Sequence, residues 1–211
     1  LLGQKHDNVW LFGYNSSGFF DGVEGVIRNF SDGESTFQYL PLIYELNNNS
    51  SSIANPEGDL IFYTNGCLVF NREHEVMENG DDINPGEVAD IKCPDRYTSG
   101  SQSSLILPKP SHDSIYYIFH KRIIYEYNPN FEVITDKLLY TTINTNLDNG
   151  LGGVVLKNQE LWIEPQTYGD LTAVKHANGE DWWLISIADE SNEYLFFLLD
   201  DQGVSFHHSQ A

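Results

Sequence analysis

The chain has 211 residues, of which 31 are Asp or Glu and 11 are Lys or Arg, so its formal net charge at pH 7 is −20. Such a charge repels a phosphate backbone and an anionic membrane surface, which disfavours binding to nucleic acid. No apolar run in the sequence approaches the roughly 18 to 20 residues of a membrane-spanning helix, so no membrane insertion is predicted.

The first predicted strand is Val9–Phe12, and a loop rich in Gly, Ser and Asn follows it over residues 13–25. Aromatic and aliphatic side chains recur over residues 36–46. This pattern predicts a strand that is bent or interrupted at Pro41, because proline cannot donate a hydrogen bond to a strand ladder.

The clearest unit covers residues 52–77 and contains three predicted strands with their turns. The apolar strand 60–63 lies between two turn sequences, Asn55-Pro56-Glu57-Gly58 and Asn65-Gly66. Proline presets φ, and Asn-Gly accepts the positive φ of a tight hairpin. The segment therefore predicts strand, turn, strand, turn and strand.

The same order of strands and turns returns twice, from Ser104 and from Thr172. In the second copy, strands 115–119 and 123–127 are separated by a charged segment that is predicted as a turn. In the third copy, strands 182–187 and 194–199 follow Asn178-Gly179, and the strand that starts at Val204 is predicted to pair outside the chain. Three copies at uneven spacing are typical of an array of similar β-units.

The middle strands of these units are apolar on both faces, whereas the strands of a two-layer sandwich alternate between apolar and polar residues. No window keeps a helical period free of Gly, Pro or Asn clusters. We therefore predict an all-β fold, a partial β-propeller of about three to four blades. Residues 1–211 are predicted to form a single domain, an incomplete part of a larger propeller in a longer multidomain protein.

The acidic insertion over residues 78–100 is the largest and is predicted to be a functional surface or interface. Asp81, Asp82, Asn84 and Glu87 offer oxygen ligands for calcium, but they lack the glycine placement and the full ligand series of a known calcium loop. A solvated acidic loop without metal is the alternative. No other cofactor is predicted.

Cys67 and Cys93 are the only cysteines. In an extracellular protein they would pair if the loop that carries Cys93 folds back over the strand of Cys67. The alternative is a small buried strand residue at Cys67 and a free loop thiol at Cys93.

Aromatic residues make up 13% of the chain. Tyr97, Trp162 and Tyr168 stand beside predicted loops, where an exposed ring could stack on a sugar and form a ligand-binding site. Burial of the three rings in the core is the alternative.

The sequence contains none of the common motifs of serine hydrolases, zinc peptidases or phosphate-binding loops. His207 and His208 are adjacent, so in a regular strand their rings point to opposite faces and do not easily share a metal. We therefore predict no catalytic residue and no enzyme activity.

Several stretches, taken in order, resemble one known family. They combine a turn with a strand and cover most of the chain: 8–13 (NVWLFG), 55–66 (NPEGDLIFYTNG), 71–74 (NREH), 101–104 (SQSS), 108–110 (PKP), 116–119 (YYIF), 150–152 (GLG), 157–158 (KN) and 171–183 (LTAVKHANGEDWW). The chain resembles the N-terminal propeller-like region of secreted and surface proteins of Bacteroidota that end in a gliding-motility-associated, type IX secretion sorting domain.

The resemblance implies a non-catalytic extracellular or cell-surface module that is exported by a type IX-like route and serves adhesion, binding or assembly. Its partners would be protein subunits of a surface assembly or extracellular glycans, and an oligomer is compatible with both. The alternative is a propeller-type glycan hydrolase or a lectin-like glycan-binding domain. A hydrolase would need paired carboxylates at a central channel. The candidates Asp59, Glu87, Asp181 and Glu193 each occupy a turn position where an acidic residue is ordinary.

Overall fold

The computed structural model describes residues 5–13, 24–30, 34–41, 44–46, 49–94, 97, 100–127 and 129–211. The described part contains one α-helix, α1 (Glu87–Lys92). The strands are β1 (Val9–Phe12), β2 (Glu24–Asn29), β3 (Thr36–Pro41), β4 (Ser51–Ala54), β5 (Leu60–Thr64), β6 (Val69–Asn71), β7 (Ser104–Pro108), β8 (Ile115–Glu126), β9 (Glu132–Asn144), β10 (Gly153–Trp162), β11 (Thr172–Lys175), β12 (Trp182–Ile187), β13 (Tyr194–Asp200) and β14 (Gly203–Gln210). The predicted all-β class is confirmed.

The strands form four antiparallel sheets, and each strand pairs with its neighbour in sequence. The first sheet contains β1–β3, the second β4–β6, the third β7–β10 and the fourth β11–β14. The described sheets do not close into a propeller. No helix in the described ranges has the length and apolar character needed to cross a membrane.

The predicted turns of the second sheet are present, and polar side chains hold them. Asn55 Oδ1 accepts a hydrogen bond from the backbone N–H of Asp59 at 2.8 Å. Asn65 Oδ1 accepts one from the N–H of Leu68 at 2.9 Å, while Gly66 takes a positive φ of 84°. An Asx side chain and a glycine at these positions form the hairpin turns locally.

The four sheets stack face to face in the order of the chain, and consecutive sheets meet in three apolar clusters. Representative members are Val9, Leu11, Tyr63 and Phe70 between the first and second sheets, Ile53, Phe62, Ile118 and Ile143 between the second and third, and Phe119, Leu138, Leu184 and Phe197 between the third and fourth. Phe62 and Tyr63 are adjacent in β5 but belong to different clusters, because successive side chains of a strand point to opposite faces. The second and third sheets are therefore covered on both faces.

The first strands of the first three sheets lie side by side: β1 neighbours β4, and β4 neighbours β7. Serine hydroxyls connect them. Ser52 Oγ donates to the carbonyl of Val9 at 2.7 Å, and Ser51 Oγ donates to the carbonyl of Ser104 at 2.8 Å. These side-chain hydrogen bonds link neighbouring sheets that share no backbone ladder.

Two sequence-based predictions of strand boundaries are wrong. The charged segment 120–122 is not a turn but lies within β8, where His120 and Lys121 are fully buried and Arg122 pairs with Asp136. The strand at Val204 does not lack a partner, because β14 pairs with β13. Both errors arose from treating a local pattern, charge in one case and position near the chain end in the other, as a guide to pairing.

Candidate functional site

A cavity of about 970 Å³ lies where the first strands of the first three sheets come together. Its described lining includes Trp10 and Phe12 of β1, Ser51 of β4, Leu105 of β7 and Trp182 of β12. These residues come from all four sheets, so the cavity exists only once the sheets have stacked. No single stretch of the sequence could mark it.

Two aromatic side chains stand open at the cavity. Trp10 and Phe12 are each 50% exposed, and their ring centroids lie 6.2 Å apart. They alternate along β1 with Val9 and Leu11, which are buried in the first cluster. The strand period of two residues therefore anchors β1 on one side and presents two rings on the other.

The polar groups of the cavity are few. His6 Nδ1 lies 2.6 Å from the carbonyl oxygen of Ala54, so this nitrogen carries the proton and donates. Asp7 is the one carboxylate among the described lining residues. A concave, mostly apolar surface with a few polar groups is typical of a ligand site.

The acidic residues considered for glycan hydrolysis do not converge on this cavity. Asp59, Glu87, Asp181 and Glu193 are absent from its described lining. Asp59 closes the turn with Asn55, and Asp181 accepts a hydrogen bond from Asn178 at 2.6 Å.

Of the two interpretations of Tyr97, a ring exposed for stacking on a ligand and a ring buried in the core, the structure shows the second. Its side chain is fully buried in the same apolar cluster as Val88 of α1, and its hydroxyl accepts a hydrogen bond from the backbone N–H of Ile123 at 2.9 Å. Burial raises the pKa of this phenol. Tyr97 is a core residue because the acidic insertion folds back onto the sheets.

Trp162, also considered for stacking on a ligand, lies half-buried between the third and fourth sheets. Its ring centroid is 4.8 Å from that of Phe206 and 6.0 Å from that of Phe197. These contacts occupy the ring, so Trp162 packs the two sheets together.

Tyr168 does present its ring, with 47% of its surface exposed. The carbonyls on both sides of it, those of Thr167 and Gly169, accept hydrogen bonds from Lys121 Nζ, the first at 3.0 Å. Burial lowers the pKa of Lys121 to about 8, against the opposing effect of Asp170. A buried ammonium therefore fixes the backbone of Tyr168 while the ring stays open.

A group of aromatic residues stands at the end of the β8–β9 hairpin. Phe131 is 59% exposed and Tyr127 64% exposed, and the Phe131 ring lies 5.5 Å from that of Tyr127 and 5.4 Å from that of Tyr125. Burial raises the pKa of Tyr168, and the nearby Tyr125 adds to the effect. The sequence did not mark this group, because aromatic residues are common in ordinary strands.

Of the calcium candidates, Asp81 pairs with a lysine, while Asp82 and Glu87 have structural positions in the insertion. Asp81 accepts a hydrogen bond from Lys157 Nζ at 2.9 Å, and this lowers the pKa of its carboxyl. The carbonyl of Asp82 accepts one from Asn158 at 2.8 Å, and Glu87 is the first residue of α1. In the described ranges, no group of three or more His, Cys, Asp or Glu side chains could hold a metal ion.

The fourth candidate, Asn84, belongs to a buried hydrogen-bond network. Its Oδ1 accepts from His120 Nδ1 at 2.7 Å, and its Nδ2 donates to the carbonyl of Gly66 at 3.1 Å. Thr141 Oγ1 donates to His120 Nε2 at 2.9 Å and accepts from the N–H of Asn158. Burial lowers the pKa of His120 to about 3, so the imidazole is neutral. The network anchors the acidic insertion to the third sheet.

Cys67 and Cys93 form a disulfide, with the two Cα atoms 5.6 Å apart. The sequence left open whether the two cysteines pair or stay as separate thiols, and the structure shows that they pair. The bond joins the acidic insertion, at the residue that follows α1, to the turn between β5 and β6 of the second sheet. Both cysteines pack in the apolar cluster that contains Tyr97.

Comparison with known proteins gives no match: no family model, no curated protein and no solved structure matches the chain.

Proposed function

We propose that the chain forms an arc of a β-propeller and acts as a non-catalytic binding module of an extracellular or cell-surface protein, for adhesion or for assembly with protein subunits. Four meandering sheets in chain order and neighbouring first strands support the propeller arrangement. The resemblance noted above adds export by a type IX-like route.

The observation that carries the proposed function is the cavity at the first strands. It is wide, mostly apolar and bordered by the open rings of Trp10 and Phe12. Its described lining offers Asp7 as a single carboxylate, whereas glycoside hydrolysis normally uses a pair. This composition favours binding of an extended apolar segment of a partner protein.

The Cys67–Cys93 disulfide supports the proposed location. Disulfides persist in oxidising compartments and are rare where glutathione keeps thiols reduced.

The test uses tryptophan fluorescence, because Trp10 and Trp182 line the cavity. The purified chain is titrated with octapeptides of alternating apolar and polar residues, with soluble hexasaccharides, and with chromogenic glycosides as turnover substrates. We expect the peptides to change the fluorescence and Trp10→Ser with Phe12→Ser to abolish that change. Phe131→Ser, outside the cavity, is the matched control and should behave as wild type. Release of a chromogen, or no response to any peptide, would overturn the proposal.

A lectin-like function is the second candidate, and the open ring of Tyr168 with its fixed backbone favours it. Aromatic rings stack on sugars, and a ring held in place loses little conformational entropy on binding. Here the hexasaccharides should bind, Tyr168→Ala with Tyr127→Ala should weaken binding at least tenfold, and Trp10→Ser should have no effect. The two candidate functions therefore differ in which variants abolish binding: those at Trp10 and Phe12 for a peptide, and those at Tyr168 and Tyr127 for a sugar.

A further inference from the structure

The β13–β14 hairpin of the fourth sheet contains a bulge. On one side of it Phe197 lies opposite Phe206, and the next pair is Phe196 with His208. His207 is therefore an extra residue that has no partner in β13. A bulge of this kind sets two residues of one strand against one residue of its neighbour.

The bulge places two histidines on one face of the sheet. Phe206 points with Phe197 toward the third sheet, and their ring centroids lie 5.6 Å apart. In a regular strand the next two side chains would point to opposite faces, but an extra residue shifts the alternation by one position. His207 and His208 both contact Trp183, at ring centroid distances of 5.0 and 6.1 Å. The two imidazoles are therefore neighbours, contrary to the expectation of opposite faces.

The two imidazoles present a pair of nitrogens to solvent. The Nδ1 atoms of His207 and His208 lie 2.8 Å apart, and both residues are exposed. One of these nitrogens donates its proton to the other in the free chain. A neutral imidazole nitrogen is also the commonest metal ligand in proteins, so the same two atoms form a candidate chelate.

Aromatic contacts hold both rings in place. The ring of His208 is stacked on that of Phe196, with the centroids 4.6 Å apart and the planes within 1° of parallel. Trp183 packs edge to face against both imidazoles. Ligands that are supported by such packing on a strand are largely preorganised for binding.

The distance between the nitrogens favours one kind of metal geometry. An imidazole nitrogen binds a divalent transition metal at about 2.0 Å, so two such nitrogens lie about 2.8 Å apart at a right angle and about 3.3 Å apart at a tetrahedral angle. The observed 2.8 Å matches the right angle. Tetragonal coordination by nitrogen is typical of Cu(II) and Ni(II), and Cu(II) has the higher affinity in the divalent series.

We propose that His207 and His208 chelate Cu(II) through their Nδ1 atoms. The metal takes the place of the shared proton, and the ring that held its proton on Nδ1 carries it on Nε2 instead. Water fills the other positions, because no third His, Cys, Asp or Glu joins the pair among the described residues. His176 also contacts Trp183, but its Nδ1 accepts the N–H of Asn178 at 3.2 Å. The site depends on neither the cavity nor the propeller arrangement.

The test titrates the whole chain, prepared without a histidine tag, with Cu(II) at pH 7.5 in a buffer that does not bind the metal. Calorimetry counts the bound ions, and electron paramagnetic resonance identifies the nitrogens around them. We expect one tetragonal Cu(II) per chain, with splitting from two nitrogens. Tryptophan emission should fall as the site fills, because Cu(II) quenches nearby indoles and Trp183 lies 5.0 Å from His207. Zn(II) should bind more weakly.

Single variants identify the ligands. His207→Gln and His208→Gln should each weaken binding about tenfold or more, because the second nitrogen no longer acts as an intramolecular ligand. Both side chains are exposed, so the sheet should stay folded. His112→Gln, at an exposed histidine outside the hairpin, is the matched control and should bind Cu(II) as the wild type does.

A relocated pair tests the bulge itself. His207→Gln with Ser209→His keeps two adjacent histidines, but positions 208 and 209 pair regularly with Phe196 and Leu195. Their rings should point to opposite faces, so this variant should bind no better than His207→Gln alone.

Four results would overturn the proposal: restored binding in the relocated pair, wild-type binding in either single variant, Zn(II) binding as tight as that of Cu(II), or no Cu(II) bound at micromolar concentrations. The peptide titration of the cavity uses no metal, so its outcome is independent of these.

Discussion

The two middle sheets and the two terminal sheets are built from the same kind of strand but differ in what covers them. In the middle sheets, Phe62, Tyr63, Ile118 and Phe119 are all buried, on whichever face they lie. In the terminal sheets, one face is buried and the other is open, as at Phe37 of the first sheet. A strand that is apolar on both faces can therefore be buried on both faces. Whether both faces are buried depends on the position of its sheet in the stack.

The largest effect should separate the two kinds of face. Phe62→Ala removes a fully buried ring between the second and third sheets, and it should lower the free energy of unfolding by about 3–5 kcal/mol. Phe37→Ala, the matched change at an exposed ring of the first sheet, should alter it by no more than about 0.5 kcal/mol. Urea unfolding followed by fluorescence measures both. Equal effects would mean that the first sheet is covered.

The disulfide is expected to be the next largest contribution to stability, and it ties the acidic insertion to the second sheet. Cys67→Ala with Cys93→Ala opens a loop with a sequence separation of 26 residues. Loop entropy predicts a loss of about 3.5 kcal/mol. Urea midpoints of the wild-type and variant chains, both under oxidising conditions, test this value. A change below about 1 kcal/mol would show that other contacts already hold the insertion in place.

His120 should make the middle of the stack sensitive to acid. Its pKa falls from 6.5 to about 3 on folding, so the unfolded chain takes up the proton first. Stability is therefore complete above pH 6.5 and is lost as the pH falls toward 3. At pH 5 the loss from this group is about 2 kcal/mol.

His120→Gln removes that titration while keeping a donor and an acceptor. The difference in unfolding free energy between pH 7.5 and pH 5 should shrink by about 2 kcal/mol in this variant. Thr141→Ser, which keeps the hydroxyl that donates to His120, should retain the wild-type dependence. An unchanged dependence in His120→Gln would contradict a neutral buried imidazole.

The smallest effect belongs to the edge of the acidic insertion. Asp81→Asn breaks the ion pair with Lys157, and because Asp81 is largely exposed the cost should stay below about 1 kcal/mol and vanish in high salt. Millimolar calcium or EDTA should leave the thermal midpoint of the wild type unchanged. A rise of several degrees with calcium would restore the metal hypothesis for this loop.

Local turn chemistry was readable from the sequence, and burial of polar groups was not. Asn55 and Asn65 form turns through their own backbone neighbours, so a few residues suffice to predict the hairpins. His120 and Lys121 look like a turn in the sequence, but their partners Asn84 and Thr167 come from distant segments. Charge signals exposure only when no such partner exists.

The candidate sites also divide into those that local sequence predicts and those that depend on distant segments of the chain. Tyr168 stands beside a loop and is open, as its position suggested. Tyr97 also stands beside a loop but is buried, because the disulfide and the buried network draw the insertion over it. The cavity needed the stacking of all four sheets, which no local pattern contains.

The disulfide also changes what a single proteolytic cut can do. Cys67 and Cys93 enclose α1, whose residue Ile91 is exposed, within one covalent loop. A protease that cleaves once inside this loop opens the polypeptide but releases neither fragment. The nicked chain would migrate as one band until it is reduced and as two bands afterwards. The largest insertion can thus be cut once without the loss of either half of the molecule.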